Sequence, residues 1–261
     1  MSQPYAPYAD AVVVITGAST GLGRAIAVGA AGQGAKAVVV NYASSRAEAE
    51  ETARLVGAAG AEAILAQGDV GQDEDCRRIV SAAARFGRID TLFNNAGTSR
   101  IASYGDLDAL DADEFLRLYR VNVVGPYQMV RAARALLEAS DDAAVVMSSS
   151  IAGVTGGGSS IAYSASKGAL NAMTLGLARA VAPKIRVNAL CPGFIDSPWF
   201  DKLGYAGGKE KLRDHIARTT PLKAASTPED VAGAALFLGS RAARHVTGET
   251  LLVDAGLHLG N

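Results

Sequence analysis

The chain has 261 residues, 49% of them apolar, with a formal net charge of −1. At roughly 100–200 residues per domain this is material for one large core, and the balanced charge argues against a nucleic-acid track or an anionic membrane surface as partner. Two cysteines, Cys76 and Cys191, make no disulfide framework, and no apolar run approaches the ~20 residues of a membrane span, so a soluble, reducing, cytoplasmic setting is expected.

Met1–Tyr8 lacks the charged-then-apolar order of a signal peptide and reads as a short, loose arm. Beyond it, short apolar runs alternate with longer helical patterns. The runs are Ala11–Ile15, Ala37–Val40, Ala63–Ala66, Thr91–Phe93, Ala143–Met147, Arg186–Leu190 and Thr250–Val253. They are continuous rather than alternating, which suits strands buried on both faces of a parallel sheet. The helical patterns include Gly23–Gln33, Arg46–Ala58, Asp73–Phe86, Asp113–Glu138 and Tyr163–Val181, and Gly34, Gly60 and Gly87 follow three of them where a left-handed cap is wanted. Strand–helix alternation predicts right-handed crossovers and an α/β fold, a doubly wound parallel β-sheet of about seven strands flanked by helices on both faces. No linker or repeat divides residues 1–261, so one domain is expected. The long strandless stretch from Gly193 to about Thr227 holds Trp199, Phe200 and Tyr205 and a short helix around Lys209–Arg218; residues 194–218 are the candidate substrate lid.

The first strand runs directly into Thr16-Gly17-Ala18-Ser19-Thr20-Gly21-Leu22-Gly23. In an open α/β sheet, the turn after the first strand faces the crevice where dinucleotides bind. Gly17 allows the sharp turn, Gly21 lets backbone approach a pyrophosphate, and Gly23 lets the helix pack close. With Ser19, Thr20 and Leu22 they are candidates to hold the phosphates at a helix N-terminus. Asp69 with Val70, and Asn95 with Ala96 and Gly97, fall at the carboxyl ends of two further strands, the same edge of the sheet. The second strand ends in Asn41-Tyr42-Ala43-Ser44-Ser45-Arg46, with no acidic residue between Gly34 and Glu48. An acidic residue there would bond a ribose 2′-hydroxyl and repel a 2′-phosphate. Its absence, with Asn41, Tyr42, Ser44, Ser45 and Arg46 in its place, predicts a preference for NADP(H), with NAD(H) as the fallback.

The fifth run ends in Ser148-Ser149-Ser150, and a Gly-rich loop then leads to Tyr163-Ser164-Ala165-Ser166-Lys167. Tyr163 and Lys167, four apart on a helix, share a face. An ammonium beside a phenol lowers its pKa from ~10, and reaching neutrality would need ~4 kcal/mol at ~1.4 kcal/mol per unit. The pair therefore predicts proton exchange between Tyr163 and a substrate oxygen, a serine hydroxyl holding that oxygen, and a hydride carried by the cofactor.

In order along the chain, Thr16–Gly23, Asp69, Asn94–Gly97, Asn122, Ser150, Tyr163, Lys167, Pro192-Gly193 and Asp254-Ala255-Gly256 resemble the motifs of the short-chain dehydrogenase/reductase family, over about Val12 to Gly256. The resemblance implies a Rossmann-type fold and an NAD(P)-dependent enzyme interconverting a secondary alcohol and a ketone. It implies a catalytic set of Ser150, Tyr163, Lys167 and Asn122, the serine selected by its place 13 positions before the tyrosine. It further implies that Asn122 helps hold a proton-relay water, that Lys167 bonds the nicotinamide ribose, and that Asp69 and Val70 meet the adenine. Asn95 would lie beside the adenosine ribose, and Ile195 would touch the nicotinamide amide after the Pro192-Gly193 turn. A homo-oligomer, tetramer or dimer, packed through the helices beginning near Asp113 and Tyr163, is also implied. Two departures stand out: Thr20 where many NADP users carry a basic residue, and Ala255 where a second glycine is usual. A catalytically silent dinucleotide binder, or dehydratase or epimerase chemistry on the same fold, are the alternative readings.

Overall fold

A strand buried on both faces needs apolar side chains at every position, and the first run supplies them. In the computed structural model, which describes residues 6–203 and 208–260, Val12 and Val14 turn into one core and Val13 and Ile15 into the other. Seven parallel strands form one sheet: β1 (Val12–Ile15), β2 (Ala37–Tyr42), β3 (Glu62–Gln67), β4 (Thr91–Asn94), β5 (Ala143–Ser148), β6 (Ile185–Pro192) and β7 (Thr250–Val253), in the order β3-β2-β1-β4-β5-β6-β7. The helices are α1 (Gly21–Gly32), α2 (Arg46–Ala58), α3 (Asp73–Ser81), α4 (Ala112–Tyr119), α5 (Gly125–Glu138), α6 (Ala152–Thr155), α7 (Ile161–Val181), α8 (Pro198–Leu203), α9 (Lys209–Thr219) and α10 (Pro228–Gly239). One core layer is closed by α3, α5 and α7, the other by α1, α2 and α10. The strand order reverses between β1 and β4, so the loops leaving them diverge and open a crevice at their carboxyl ends.

Four expectations need correction. The edge strands are not buried on both faces: Glu62, Leu65 and Gln67 of β3 are exposed, and all of β7 is half-buried, because an edge strand has a neighbour on one side only. The helix expected over Asp113–Glu138 is two helices joined by a turn of π-helix at Arg120–Val124. Pro126 has no N–H to return to the carbonyl of Asn122 four residues back, and the wider turn accommodates that gap. The helix expected to run to Phe86 stops at Ser81, followed by a 3₁₀ turn at Ala84–Phe86. Of the arm expected over Met1–Tyr8, Met1–Tyr5 lie outside the described residues, and Tyr8 is not loose: it is 1% exposed, and its hydroxyl donates to the Leu236 carbonyl at 2.8 Å, pinning the chain under α10.

Candidate active site

The glycine turn is built as a cradle. Gly17 has a φ of 62°, a left-handed conformation that favours glycine. A Cβ on Gly23 would collide with the Gly17 carbonyl oxygen and lie 2.6 Å from the Asn95 amide nitrogen. Thr20 caps α1 without a side-chain bond, and the first turn of α1 holds no acidic residue, so its N–H groups and dipole face outward uncompensated. Leu22 packs partly buried against the neighbouring core. Asn95 donates to the carbonyls of Thr16 (3.1 Å) and Gly17 (3.0 Å), and the Thr16 hydroxyl accepts from the N–H groups of Asn95 and Ala96 at 3.0 Å. The loop after β4 thus holds the turn after β1. A dinucleotide fits this edge: the cradle offers a positive helix end and glycine backbone at Gly17, Gly21 and Gly23.

Asn41 serves the cradle differently from the sequence expectation. It is 1% exposed, its Oδ1 accepts from Gly17 N–H at 3.0 Å, and its Nδ2 donates to the carbonyls of Ala66 and Gly68, both at 3.0 Å. Both its side-chain N–H groups are committed to the end of β3, so none is left to offer a phosphate. Tyr42 is buried beside it. Ser44 and Arg46 are exposed and Ser45 half-buried, at an α2 N-terminus with no side-chain cap. Arg46 pairs with Glu50 at 2.8 Å and its side chain is 73% exposed. Arg24, which sequence reasoning passed over, is more firmly placed. Its guanidinium donates to the carbonyls of Ser19 (2.6 Å) and Glu48 (2.9 Å) and to the Thr52 hydroxyl (2.9 Å), tying the cradle to the first turn of α2. The signal was a basic residue directly after the third glycine. Farther along the edge, Asp69 is exposed and its Oδ1 accepts from Gly71 N–H, while Val70 is buried.

The second cluster stands where β5, α7 and the π turn meet. Lys167 is 4% exposed, and its Nζ donates to the Ser148 carbonyl at 2.7 Å. Burial pushes its pKa down to about 8. Its Nζ lies 5.7 Å from the centre of the Tyr163 ring. Tyr163 is 6% exposed, and burial pushes its pKa well above the ordinary phenol value, with the Ser150 hydroxyl pulling the other way. In so dry a site, desolvation disfavours the phenolate; the expected lowering by the ammonium, with the positive nicotinamide adding to it, belongs to the cofactor-loaded site. Of the three serines, Ser148 turns towards Asn95 and Ser149 towards the Lys167 carbonyl; the Ser150 hydroxyl accepts from Ala152 N–H at 3.1 Å and is the serine that favours the Tyr163 phenolate. Asn122 is fully buried; its amide accepts from Thr98 N–H (2.8 Å) and donates to the Thr98 carbonyl (2.9 Å) and the Ser166 hydroxyl (3.0 Å). A Cβ on Gly97 would lie 3.5 Å from Asn122 Oδ1 and 3.7 Å from Lys167 Nζ, so the two clusters meet there. Cys191, at the end of β6, lies buried beneath them and donates to Asn171 at 3.6 Å; burial raises its thiol pKa.

The stretch after β6 closes one side. Pro192 is buried, and a Cβ on Gly193 would lie 2.7 Å from Asp254 Cβ, which brings the carboxyl-terminal Asp254–Gly256 turn under it. Ile195 bridges to Ser226, and Ser197 lies within 3.4 Å of where a Gly21 Cβ would stand, so this stretch crosses the cradle. Then α8 sets Trp199 over Tyr163, with ring centres 5.9 Å apart, and Phe200 against Phe194 at 4.7 Å. Tyr205, the third expected aromatic, lies outside the described residues.

The family model described as enoyl-(acyl carrier protein) reductase matches residues 17–258. The chain is 40% identical to the "Granaticin polyketide synthase putative ketoacyl reductase 2" of Streptomyces violaceoruber, over 95% of this chain and 96% of that one. It is 35% identical to the L-rhamnose 1-dehydrogenase (NAD(P)(+)) of a Sphingomonas strain, over 95% and 96%. The crystal structure titled "putative short-chain dehydrogenase/reductase" from Burkholderia xenovorans superposes with a TM-score of 0.88 at 42% identity, over 96% of this chain and 98% of that one. With this fold and this match, the chain belongs to the short-chain dehydrogenase/reductase family, a family of oxidoreductases that use nicotinamide cofactors. No described helix is long and apolar enough to cross a membrane.

Proposed function

We propose that this protein interconverts a secondary alcohol and a ketone, with Tyr163 passing the proton. The observation that carries the reading is the joint burial of Tyr163 and Lys167 beside Ser150, at the same sheet edge as the glycine cradle. A nicotinamide cofactor, when bound, supplies or accepts the hydride. The chain's own part is to orient and to handle the proton. Ser150 holds the substrate oxygen. Tyr163, kept protonated by its dry surroundings, donates to that oxygen in the reductive direction. Lys167, oriented by the Ser148 carbonyl, would hold the ribose hydroxyls and offsets the negative charge left on Tyr163. The Asn122 carbonyl, released from the regular helical ladder by Pro126, faces no helical donor from that position and suits a proton-relay water.

The cofactor-binding and catalytic groups work within one domain, residues 1–261, in the cytoplasm, with 194–218 as the lid over the substrate. NADP(H) is preferred over NAD(H), supported by the uncapped α2 N-terminus and the lack of an acidic residue at the end of β2. The decisive experiment follows NAD(P)H absorbance with a panel of ketones and secondary alcohols and both cofactors. Turnover with a higher kcat/KM for NADPH is expected; no turnover with any substrate would remove the reading, and a clear preference for NADH would remove the cofactor assignment.

A further inference from the structure

We infer that the substrate presents a flat, apolar ring beside its carbonyl, and that Trp199 is the specificity-determining residue that receives it. The inference rests on the reading of Tyr163 as the group facing the substrate oxygen, and it names the class of molecule attached to that oxygen.

Trp199 is placed by construction. Its ring stands 5.9 Å from that of Tyr163 at an interplanar angle of 58°, and Phe200, 5.9 Å from it, is braced on buried Phe194. Lys209 at the start of α9 reaches Asp201 of α8 at 3.0 Å and Asp196 of the preceding stretch at 3.4 Å, which ties both ends of the aromatic segment together. Even so, Trp199 leaves 37% of its surface exposed, in a chain with one tryptophan and 6% aromatic residues. An indole held beside the candidate proton donor, with more than a third of its surface open, offers apolar area on which a ring can pack.

The polar surroundings point the same way. Among the described residues, no carboxylate pairs with Lys167, whose ammonium bonds the Ser148 carbonyl instead, and none hydrogen-bonds Tyr163. On the loops 98–104 and 154–161 the hydroxyls are already paired. Ser99 bonds Ser159, and Tyr104 bonds the Gly156 carbonyl at 2.7 Å and Ser164 at 2.8 Å. A polyhydroxylated substrate would bury hydroxyl groups against aromatic faces with few free partners, at a cost for each unpaired group. An apolar ring meets no such penalty.

The single tryptophan gives the test its own reporter. Wild type, Trp199→Ala and Trp199→Phe are compared with β-tetralone, a flat fused-ring ketone, and with dihydroxyacetone, a small hydrophilic one. The ratio of kcat/KM for β-tetralone to that for dihydroxyacetone should favour β-tetralone in wild type. In Trp199→Ala it should fall about tenfold, the equivalent of one lost aromatic contact, and Trp199→Phe should recover much of it. An unchanged or rising ratio in Trp199→Ala overturns the inference, a rise meaning that Trp199 obstructs the substrate. Titrating β-tetralone into the NADP⁺-saturated enzyme should change the tryptophan emission, whereas dihydroxyacetone should not; no change with β-tetralone also overturns it. An emission change in a protein that turns over neither ketone leaves the apolar face standing and removes the hydride-transfer reading instead.

Discussion

A lysine with 4% of its surface exposed, bonded through its ammonium to a main-chain carbonyl, is held where its charge is costly. With its pKa pushed down to about 8, Lys167 is ammonium below that pH and neutral above it. Tyr163, pushed the other way by burial, stays protonated through this range. Ketone reduction should therefore be level at neutral pH and decline through about pH 8 as the ammonium is lost. A pH–kcat/KM profile of wild type against Lys167→Met checks this: the variant should be slow and lack that limb, and a limb unchanged in the variant would assign it to another group. At this scale the spacing of Tyr163 and Lys167 was legible, because helical periodicity needs no tertiary information. Their protonation was not. The sequence shows a cation four residues from a phenol but not how dry the space between them is. Asn41 carries the same lesson, since only the fold reveals that its amide is spent on Gly17, Ala66 and Gly68.

Between elements, the least visible feature in the sequence is the Arg24 clamp. Arg24 lies on α1, Thr52 on α2 and Ser19 in the cradle, and nothing in the linear pattern shows that they meet. Charge-assisted bonds are worth about 1.5–3 kcal/mol each. Arg24→Met should lower thermal stability and raise KM for NADPH about tenfold while kcat changes far less, with Arg24→Lys recovering part of the KM. A parallel loss of kcat would make Arg24 a general scaffold residue rather than a positioning residue for the cradle. The closing Asp254-Ala255-Gly256 turn offers a cleaner stability test. Ala255 has a φ of 55°, where a residue with a Cβ is strained by roughly 1–2 kcal/mol. Glycine relieves this at an entropic cost of roughly 0.5–1 kcal/mol, so Ala255→Gly should stabilise the protein by about 0.5–1 kcal/mol in denaturant unfolding; destabilisation would show that the Cβ has a packing role. Helix existence was readable from apolar spacing, as the match of α2 to Arg46–Ala58 shows. The break before α5 was missed because the apolar pattern continues across it; the clue was Gly125-Pro126 itself.

Across the whole molecule, the strand count, the parallel direction and the two flanking layers follow from strand–helix alternation, and the comparison with solved relatives agrees. The position of the site also follows, because the motif-bearing turns leave carboxyl ends of strands and a parallel sheet gathers those ends on one edge. The outer surface was not legible from pattern alone. Leu116, Val124, Tyr127 and Leu175, on α4, the π turn, α5 and α7, are 63%, 46%, 47% and 43% exposed. If the homo-oligomer that the family resemblance implies packs through these helices, these are the side chains it would cover. Analytical ultracentrifugation should show a dimer or tetramer, and Tyr127→Arg should shift it towards smaller species; a monomeric wild type would refute this.

The central claim is that the buried Tyr163 hydroxyl moves the proton while the glycine cradle holds the cofactor, and replacing that hydroxyl separates the two. The measurement is kcat for ketone reduction by Tyr163→Phe beside its NADPH dissociation constant from fluorescence titration. Turnover should fall by about 10²–10⁴-fold, the range for removing a general acid, with NADPH affinity close to that of wild type. Near wild-type turnover in the variant would contradict the account.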